Sequence, residues 1–246
     1  KGIFTSCKIN NDEDCPPWLI KADQVKHNKK NKTIEYKNAW LNVYDFPLIY
    51  FPYFYHPDPT VKRQSGFLLP KLSNSSTLGN SLQIPYYKVI SDNKDLTLSP
   101  KIFFDDNIMI QTEYRQKNKN SELITDQSIN FNDDSTRSHF FGNFKNSTET
   151  SEYQINLEST SNRNYLKKYE VASPLIDDNM NLNSFISFEK DFDDSYFSTS
   201  FEVFEDLTKD DTDSYEYIYP NYYFNKQINS NKPGSLEFST SGYQKK

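Results

Sequence analysis

From Gly79 onward the chain repeats one pattern: segments in which every second residue is apolar, each closed by a short polar turn. In KDLTLSPKIFF, Leu96, Leu98, Pro100, Ile102 and Phe104 fall on one face, and Asp95, Thr97, Ser99 and Lys101 on the other. NIMIQTEYRQ sets Ile108, Ile110, Thr112 and Tyr114 against Met109, Gln111, Glu113 and Arg115. ETSEYQINL and DSYFSTSFEVFE repeat the scheme with Tyr153, Ile155 and Leu157, and with Phe197, Phe201 and Val203. Successive side chains of a strand point to opposite faces, so a period of two sustained this long dictates antiparallel β-structure. Roughly ten such segments reach the C-terminus, each near the ~9–11 residues of a tilted membrane strand. Only RNYLKKYEV (163–171) suggests a helical turn.

Soluble sandwiches alternate too. What favours a membrane wall is the thoroughly polar second face and the aromatic residues near segment ends, which resemble interfacial girdles. The chain is 35% hydrophobic yet 16% aromatic, with 19 Phe and 18 Tyr. That is too aromatic for disorder and too polar for a thick two-sided core. No run approaches the ~20 apolar residues of a membrane helix, which leaves a spanning barrel open. A net charge of −6 argues against a broad nucleic-acid surface. The chain opens at Lys1 without a leader pattern, as expected of a mature protein or a piece whose export signal lies upstream.

Residues 16–55 differ. WLIKADQV and TIEYKNAWLNV, joined by the polar HNKKNK, read as a hairpin, and PLIYFPYFY follows as an edge or bulged strand because of Pro47 and Pro52. A sheet buried on one face, as in a jelly roll, fits this region. Cys7 and Cys15 are the only cysteines, at a spacing that matches no zinc pattern. Two unrelated small residues and disulfide chemistry in an oxidising compartment are equal readings.

Between the two regions lies HPDPTVKRQSGFLLP (56–70). Pro57 and Pro59 stiffen the chain and remove backbone donors, while Ser65 and Gly66 restore freedom. Lys62 and Arg63 could pair with lipid phosphates, although exposed cations are commonly just solvated.

These residues carry a resemblance. TSC (5–7), PPWLIKADQVKHN and the run KTIEYKNAWLNVYDFPLIYFPYFYHPDPTVKRQSGFLLP resemble the LPS-assembly outer-membrane protein family (LptD, also called OstA). The likeness continues through IPYYKVISDNKDLTLSPKIF and EYR (113–115), with weaker echoes at NDDSTR (132–137) and RNYLKKY (163–169). It implies an all-β chain. Residues 1–64 would be the C-terminal strands of a periplasmic jelly-roll domain and the joint. Residues 65–246 would be the N-terminal part of a large transmembrane β-barrel, here incomplete.

The same resemblance implies lipopolysaccharide transport, with the lipid leaving through a lateral gate. Pro70 and Pro85 sit where the family weakens its first strands, and a proline deletes a ladder hydrogen bond. Acyl chains would travel along the jelly roll past Trp18, Ile20, Trp40 or Leu41, with the face assignment open. Cys7 matches a family cysteine whose partner lies far along the barrel; here it either pairs with Cys15 or with sequence beyond this chain. Implied partners are lipopolysaccharide, a lipoprotein plug inside the barrel, a periplasmic bridge protein and an inner-membrane ATPase upstream. The location would be the outer membrane, with the N-terminal part in the periplasm, and no cofactor is implied.

Other readings stand beside it. His56, Asp58 and Ser65 suggest a hydrolase triad, but no G-x-S-x-G elbow accompanies them, and an enzyme is not expected. Asp105-Asp106, Asp133-Asp134 and Asp210-Asp211 sit in polar turns, where solvation is a simpler role than calcium binding; no metal is expected. A passive outer-membrane pore would share the strand pattern without needing residues 16–55 or the joint. A soluble glycan-binding β-protein is the third alternative.

Overall fold

The computed structural model describes residues 2–4, 18–43, 46–75, 77–104, 107–131, 136–209, 213–228 and 234–246. Cys7, Cys15 and the three aspartate pairs lie outside these residues. Within them the chain is all-β apart from one short helix, and it divides into two units, Lys1–Gln64 and Ser65–Lys246.

The first unit is an antiparallel sheet in the order β1 (Gly2–Phe4), β2 (Trp18–Asn28), β3 (Thr33–Val43) and β4 (Phe46–Pro57). Its core is Ile20, Ala22, Tyr36 and Ala39, with Ile34, Leu41, Phe51 and Phe54 packed against it. Strict alternation would set Tyr36 and Ala39 on opposite faces. Both reach the core because Asn38, between them, has a left-handed φ of 50° and shifts the strand's phase. Asn38 is held there by Asp23 and by the Tyr50 hydroxyl.

The second unit is one open antiparallel sheet. Its first pass is split into β5 (Gly66–Phe67) and β6 (Lys71–Ser75), and its second into β7 (Gly79–Gln83) and β8 (Tyr86–Ser91). Nine unbroken strands follow: β9 (Lys94–Phe103), β10 (Asn107–Lys117), β11 (Ser121–Phe131), β12 (Arg137–Ser147), β13 (Ser151–Thr160), β14 (Asn181–Asp191), β15 (Ser195–Asp206), β16 (Tyr215–Ile228) and β17 (Leu236–Lys245). Each pairs with the next, and among the described residues the outer members are β5 and β6 on one side and β17 on the other.

The faces of this sheet are inverted relative to a soluble protein. In β10, Asn107, Met109 and Gln111 are buried, while Ile108 and Ile110 are exposed. In β11, Asp126, Ser128 and Asn130 are buried, and Ile129 and Phe131 are exposed. Leu98, Ile102, Phe140, Leu157, Ile186, Phe201, Leu236 and Phe238 continue the exposed apolar face across the remaining strands. Water would not select such a distribution, because exposing apolar area costs roughly 25 cal/mol per Å². Hydrocarbon would.

Connections differ at the two ends. Those at 92–93, 118–120, 148–150 and 192–194 are two or three residues long, with 229–235 longer. The opposite end carries the three-residue 76–78 and 104–106 and the longer 132–136, 207–214 and twenty-residue 161–180. Within 161–180 lies α1 (Tyr165–Tyr169), stopped by Glu170 in the left-handed region. It packs on the inner, polar face: Tyr165, Leu166, Tyr169 and Val171 form one core with Phe103, Met109, Phe141, Leu182 and Leu207.

Candidate functional site

The first two passes of the large sheet are both interrupted, and the interruptions lie side by side. Three residues, Leu68–Pro70, separate β5 from β6, whereas two, Ile84–Pro85, separate β7 from β8. The extra residue is a bulge that shifts the pairing by one position. Leu68 N–H donates to Pro85 O at 2.8 Å. Antiparallel partners of this kind normally exchange two bonds, but Pro85 has no N–H to return one. Ile84 N–H donates to Pro100 O at 3.1 Å, and Pro100 likewise cannot reciprocate.

The alternation also fixes which residues of β6 and β7 bond inward. Ile84 N–H and Asn80 O point at β9, through Pro100 and Phe104, so the odd residues of β7 point at β6. Their partners Lys71 and Ser73 then bond β7, and Pro70 stands in the bulge between Leu68 and Lys71 on the outermost pass, with no N–H to offer. Pro70 thus removes a donor at the edge itself. Around it Phe67 is 76%, Leu69 90% and Leu72 75% exposed. Pro100 completes a row of three prolines across adjacent strands. The sequence placed it on the apolar face without marking it, since its effect appears only once the register is known.

At the joint, Pro57 ends β4 opposite Thr33, and Asp58-Pro59-Thr60-Val61 forms a turn closed by Val61 N–H to Asp58 O at 2.9 Å. Asp58 N–H donates to Lys32 O, and its carboxylate accepts from Thr60 N–H at 2.8 Å and Thr60 Oγ1 at 2.7 Å and pairs with His27. The Thr60 bonds chiefly, then His27, hold the Asp58 carboxyl below its ordinary value. Lys62 is exposed and Arg63 half-buried. Ser65 is tied down rather than loose: its hydroxyl accepts from Val89 N–H at 2.9 Å. Gly66 pairs with Tyr87 and has open space where a Cβ would stand.

The proposed lipid-contact residues separate. Ile20 pairs with Leu41 on the core side of the small sheet, whereas Trp40 is on the opposite side, 43% exposed, its ring 5.0 Å from that of Tyr50. Trp18 begins β2 opposite Val43, and its side chain lies outside the described residues. His56 bonds the Tyr36 hydroxyl at 2.8 Å and Pro57 O at 2.6 Å, so it is committed to the small sheet. Burial pushes the Tyr36 phenol up.

A polar cluster on the inner face escaped the sequence reading. Ser128 Oγ lies 2.7 Å from His139 Nδ1 and 2.6 Å from the Tyr165 hydroxyl. His139 Nε2 stands 3.6 Å from Asp126 Oδ1, and Gln111 Nε2 donates to both Asp126 oxygens at 3.0 Å and to Ala172 O at 2.9 Å. Lys101 Nζ donates to Tyr169 O at 3.0 Å. Serine, histidine and aspartate from neighbouring strands invite comparison with a hydrolase, but all three are buried and Tyr165 stands against Ser128 Oγ. Burial pushes the Tyr165 phenol up to about 12, with Ser128 opposing. The neutral phenol anchors α1 to the wall.

Polar residues inside, apolar residues outside, and short turns opposite long loops are the construction of a transmembrane β-barrel wall. The family model described as LptD protein matches residues 34–233. The chain belongs to that family. It is 36% identical over 134 residues to the LPS-assembly protein LptD of Pseudomonas aeruginosa (strain UCBPP-PA14), covering 54% of this chain and 14% of the relative. To the protein of the same name from Shewanella oneidensis it is 38% identical over 105 residues, 41% of this chain and 14% of the relative. That from Pseudomonas entomophila (strain L48) is 35% identical over 121 residues, 49% and 12%. The chain therefore spans about 14% of the length of the curated relatives it matches.

Proposed function

We propose that this chain serves lipopolysaccharide assembly in the outer membrane, as the end of a periplasmic lipid slide (1–64) and the first strands of a barrel (65–246), and that the lipid leaves sideways at the edge formed by β5 and β6. The observation that carries this reading is the proline-broken edge. In hydrocarbon every backbone polar group must find a partner, so an intact seam is strongly held. Pro70 removes a donor at the edge itself, and Pro85 and Pro100 thin the bonding behind it.

Other features support the orientation. Ser65 enters β5 at the end of the sheet with short turns, the periplasmic end in barrels of this construction. Acyl chains would follow the Ile20–Leu41 side of the small sheet, and the sugar head would enter the polar interior. Lys62 and Arg63 at the joint could meet lipid phosphates. A bridge protein and an ATPase would deliver the lipid, and a lipoprotein plug would occupy the barrel. The role is transport without bond-making chemistry.

Site-specific photocrosslinking in cells tests this, with the probe at Phe67, Leu69 or Ile84 of the complete parent protein. Capture of lipopolysaccharide at these positions and not on remote strands is the expected result. Capture on distant strands alone would remove the gate, and no capture anywhere would favour a passive pore.

A further inference from the structure

The large sheet holds a second irregular seam, between β13 and β14. Their ladder stops at Asn156 opposite Phe185, although β13 continues to Thr160 and β14 begins at Asn181. Side chains replace the missing ladder. Asn183 N–H donates to Glu158 Oε2 at 2.7 Å, and Glu158 N–H donates to Ser184 Oγ at 2.9 Å. Ser184 Oγ donates to Glu158 O at 3.2 Å, and Asn156 Nδ2 donates to Asn183 O at 2.7 Å. Glu158 and Asn183 thus keep partners for their backbone groups, as hydrocarbon demands, but the two strands are not zipped.

Against this seam, on the outward face, lies a groove of about 320 Å³. Leu157, Ile186, Phe201, Val203, Tyr217 and Tyr219 form most of its walls, with Phe185 and Glu202 also contributing. Ser184 lies among these large residues, paired with Val203 and one step along from the Ile186–Phe201 pair, and its small size makes the depression. Its hydroxyl is turned into the seam, where its one donor is spent on Glu158 O and it accepts from Glu158 N–H, so it has no proton to donate to a ligand. The rest of the lining is mostly apolar: its polar groups are the Tyr217 and Tyr219 hydroxyls and Glu202, whose carboxylate accepts from Ser200 Oγ at 2.7 Å and whose charge disfavours a phosphate.

We propose that this groove binds one acyl chain of a membrane lipid, drawn from the leaflet nearest the long loops. The proposal rests on the reading of the sheet as a membrane wall. Two observations choose this occupant. The groove is continuous with the exposed apolar face of Leu98, Ile110, Ile129 and Phe140, so whatever covers that face covers the groove. It also lies in the half of β13 to β16 nearest the 161–180 and 207–214 connections, which places it within one leaflet. An unbranched chain can follow a trough that runs over four strands, whereas a side-chain knob from a partner would fill only part of it.

The test uses the complete parent protein in phospholipid vesicles containing a small fraction of a phospholipid with a photoreactive group midway along one acyl chain. Adducts are mapped by mass spectrometry. Labelling at Leu157, Ile186 and Phe201 should exceed that at Leu98 and Ile102 several-fold. Val203→Trp should fill the groove and bring labelling down to the level of the surrounding face. Equal labelling of groove and face in the unmodified protein overturns the proposal while leaving the membrane wall intact, and so does a groove shielded from label by protein. If no outward residue is labelled, the membrane reading itself fails.

Discussion

Replacing Pro85 by alanine returns an N–H to the position opposite Leu68 O. Leu68 N–H already donates to Pro85 O at 2.8 Å, so the geometry for the reciprocal bond exists and only the donor is absent. A net intramolecular hydrogen bond contributes about 0.5–1.5 kcal/mol. At about 1.4 kcal/mol per factor of ten, local opening of this pair should become roughly 2- to 12-fold rarer. The substitution also frees the unfolded chain, which costs about 0.4–1 kcal/mol of global stability. The two effects have opposite signs, and that makes the test specific. Native-state hydrogen exchange in the complete parent protein should show Leu68 N–H better protected in Pro85→Ala, while global unfolding is unchanged or slightly easier. Lipopolysaccharide capture at Phe67 should fall in parallel. Unchanged or faster exchange at Leu68 would refute the claim that a missing donor weakens this pair.

Three further outcomes follow from the same geometry. Leu98→Arg should destabilise the folded protein in a bilayer by about 2–4 kcal/mol, whereas Thr97→Arg, one residue away on the inner face beside Glu113, should change it little; equal urea midpoints for the two would place the outer face in water. Tyr165→Phe removes the hydroxyl bonded to Ser128 and should cost about 0.5–1.5 kcal/mol, read as faster proteolysis within 161–180; wild-type protection would mean that the apolar contacts alone hold α1. Because the folded Asp58 carboxyl titrates below its unfolded value, the bonds it accepts contribute stability above about pH 4 and lose it as pH falls through the depressed value. The protection factor of Thr60 N–H, its exchange relative to the intrinsic rate at each pH, should therefore fall only in that acidic window, and a protection factor unchanged from neutral pH to pH 2 would contradict it.

Much of the fold could be read from residue types alone. The alternation of NIMIQTEYRQ fixes both that β10 is a strand and which residues share a face, because a strand's period needs no tertiary information. RNYLKKYEV showed its helical turn through Tyr165, Leu166 and Tyr169, which recur at one- and three-residue steps. What stayed hidden depends on register. Ser128, His139 and Tyr165 meet across strands and a long loop, and nothing local marks them as partners. Pro100 reads as one more outward residue until Ile84 is found donating to it. The small sheet resisted for another reason: Asn38 adopts a left-handed φ that shifts the phase of β3, so counting by twos from Trp40 misplaces Tyr36. The direction of the faces was also open, since alternation is the same whether the apolar side meets a core or lipid. Burial of Asp126, Ser128 and Asn130 beneath exposed Ile129 and Phe131 resolves it.

A membrane wall requires that inversion above all, and one scan measures it. Spin labels placed singly from Asn107 to Lys117 in the complete parent protein, reconstituted in vesicles, report collision with oxygen, which concentrates in lipid, and with a water-soluble nickel complex. Labels at 108, 110, 112 and 114 should favour oxygen, and those at 107, 109, 111 and 113 should not, giving a period of two with its lipid maximum on the isoleucines. A scan in which both sets meet the aqueous reagent equally, or in which the maximum falls on the odd residues, would contradict a membrane wall with its polar face inside.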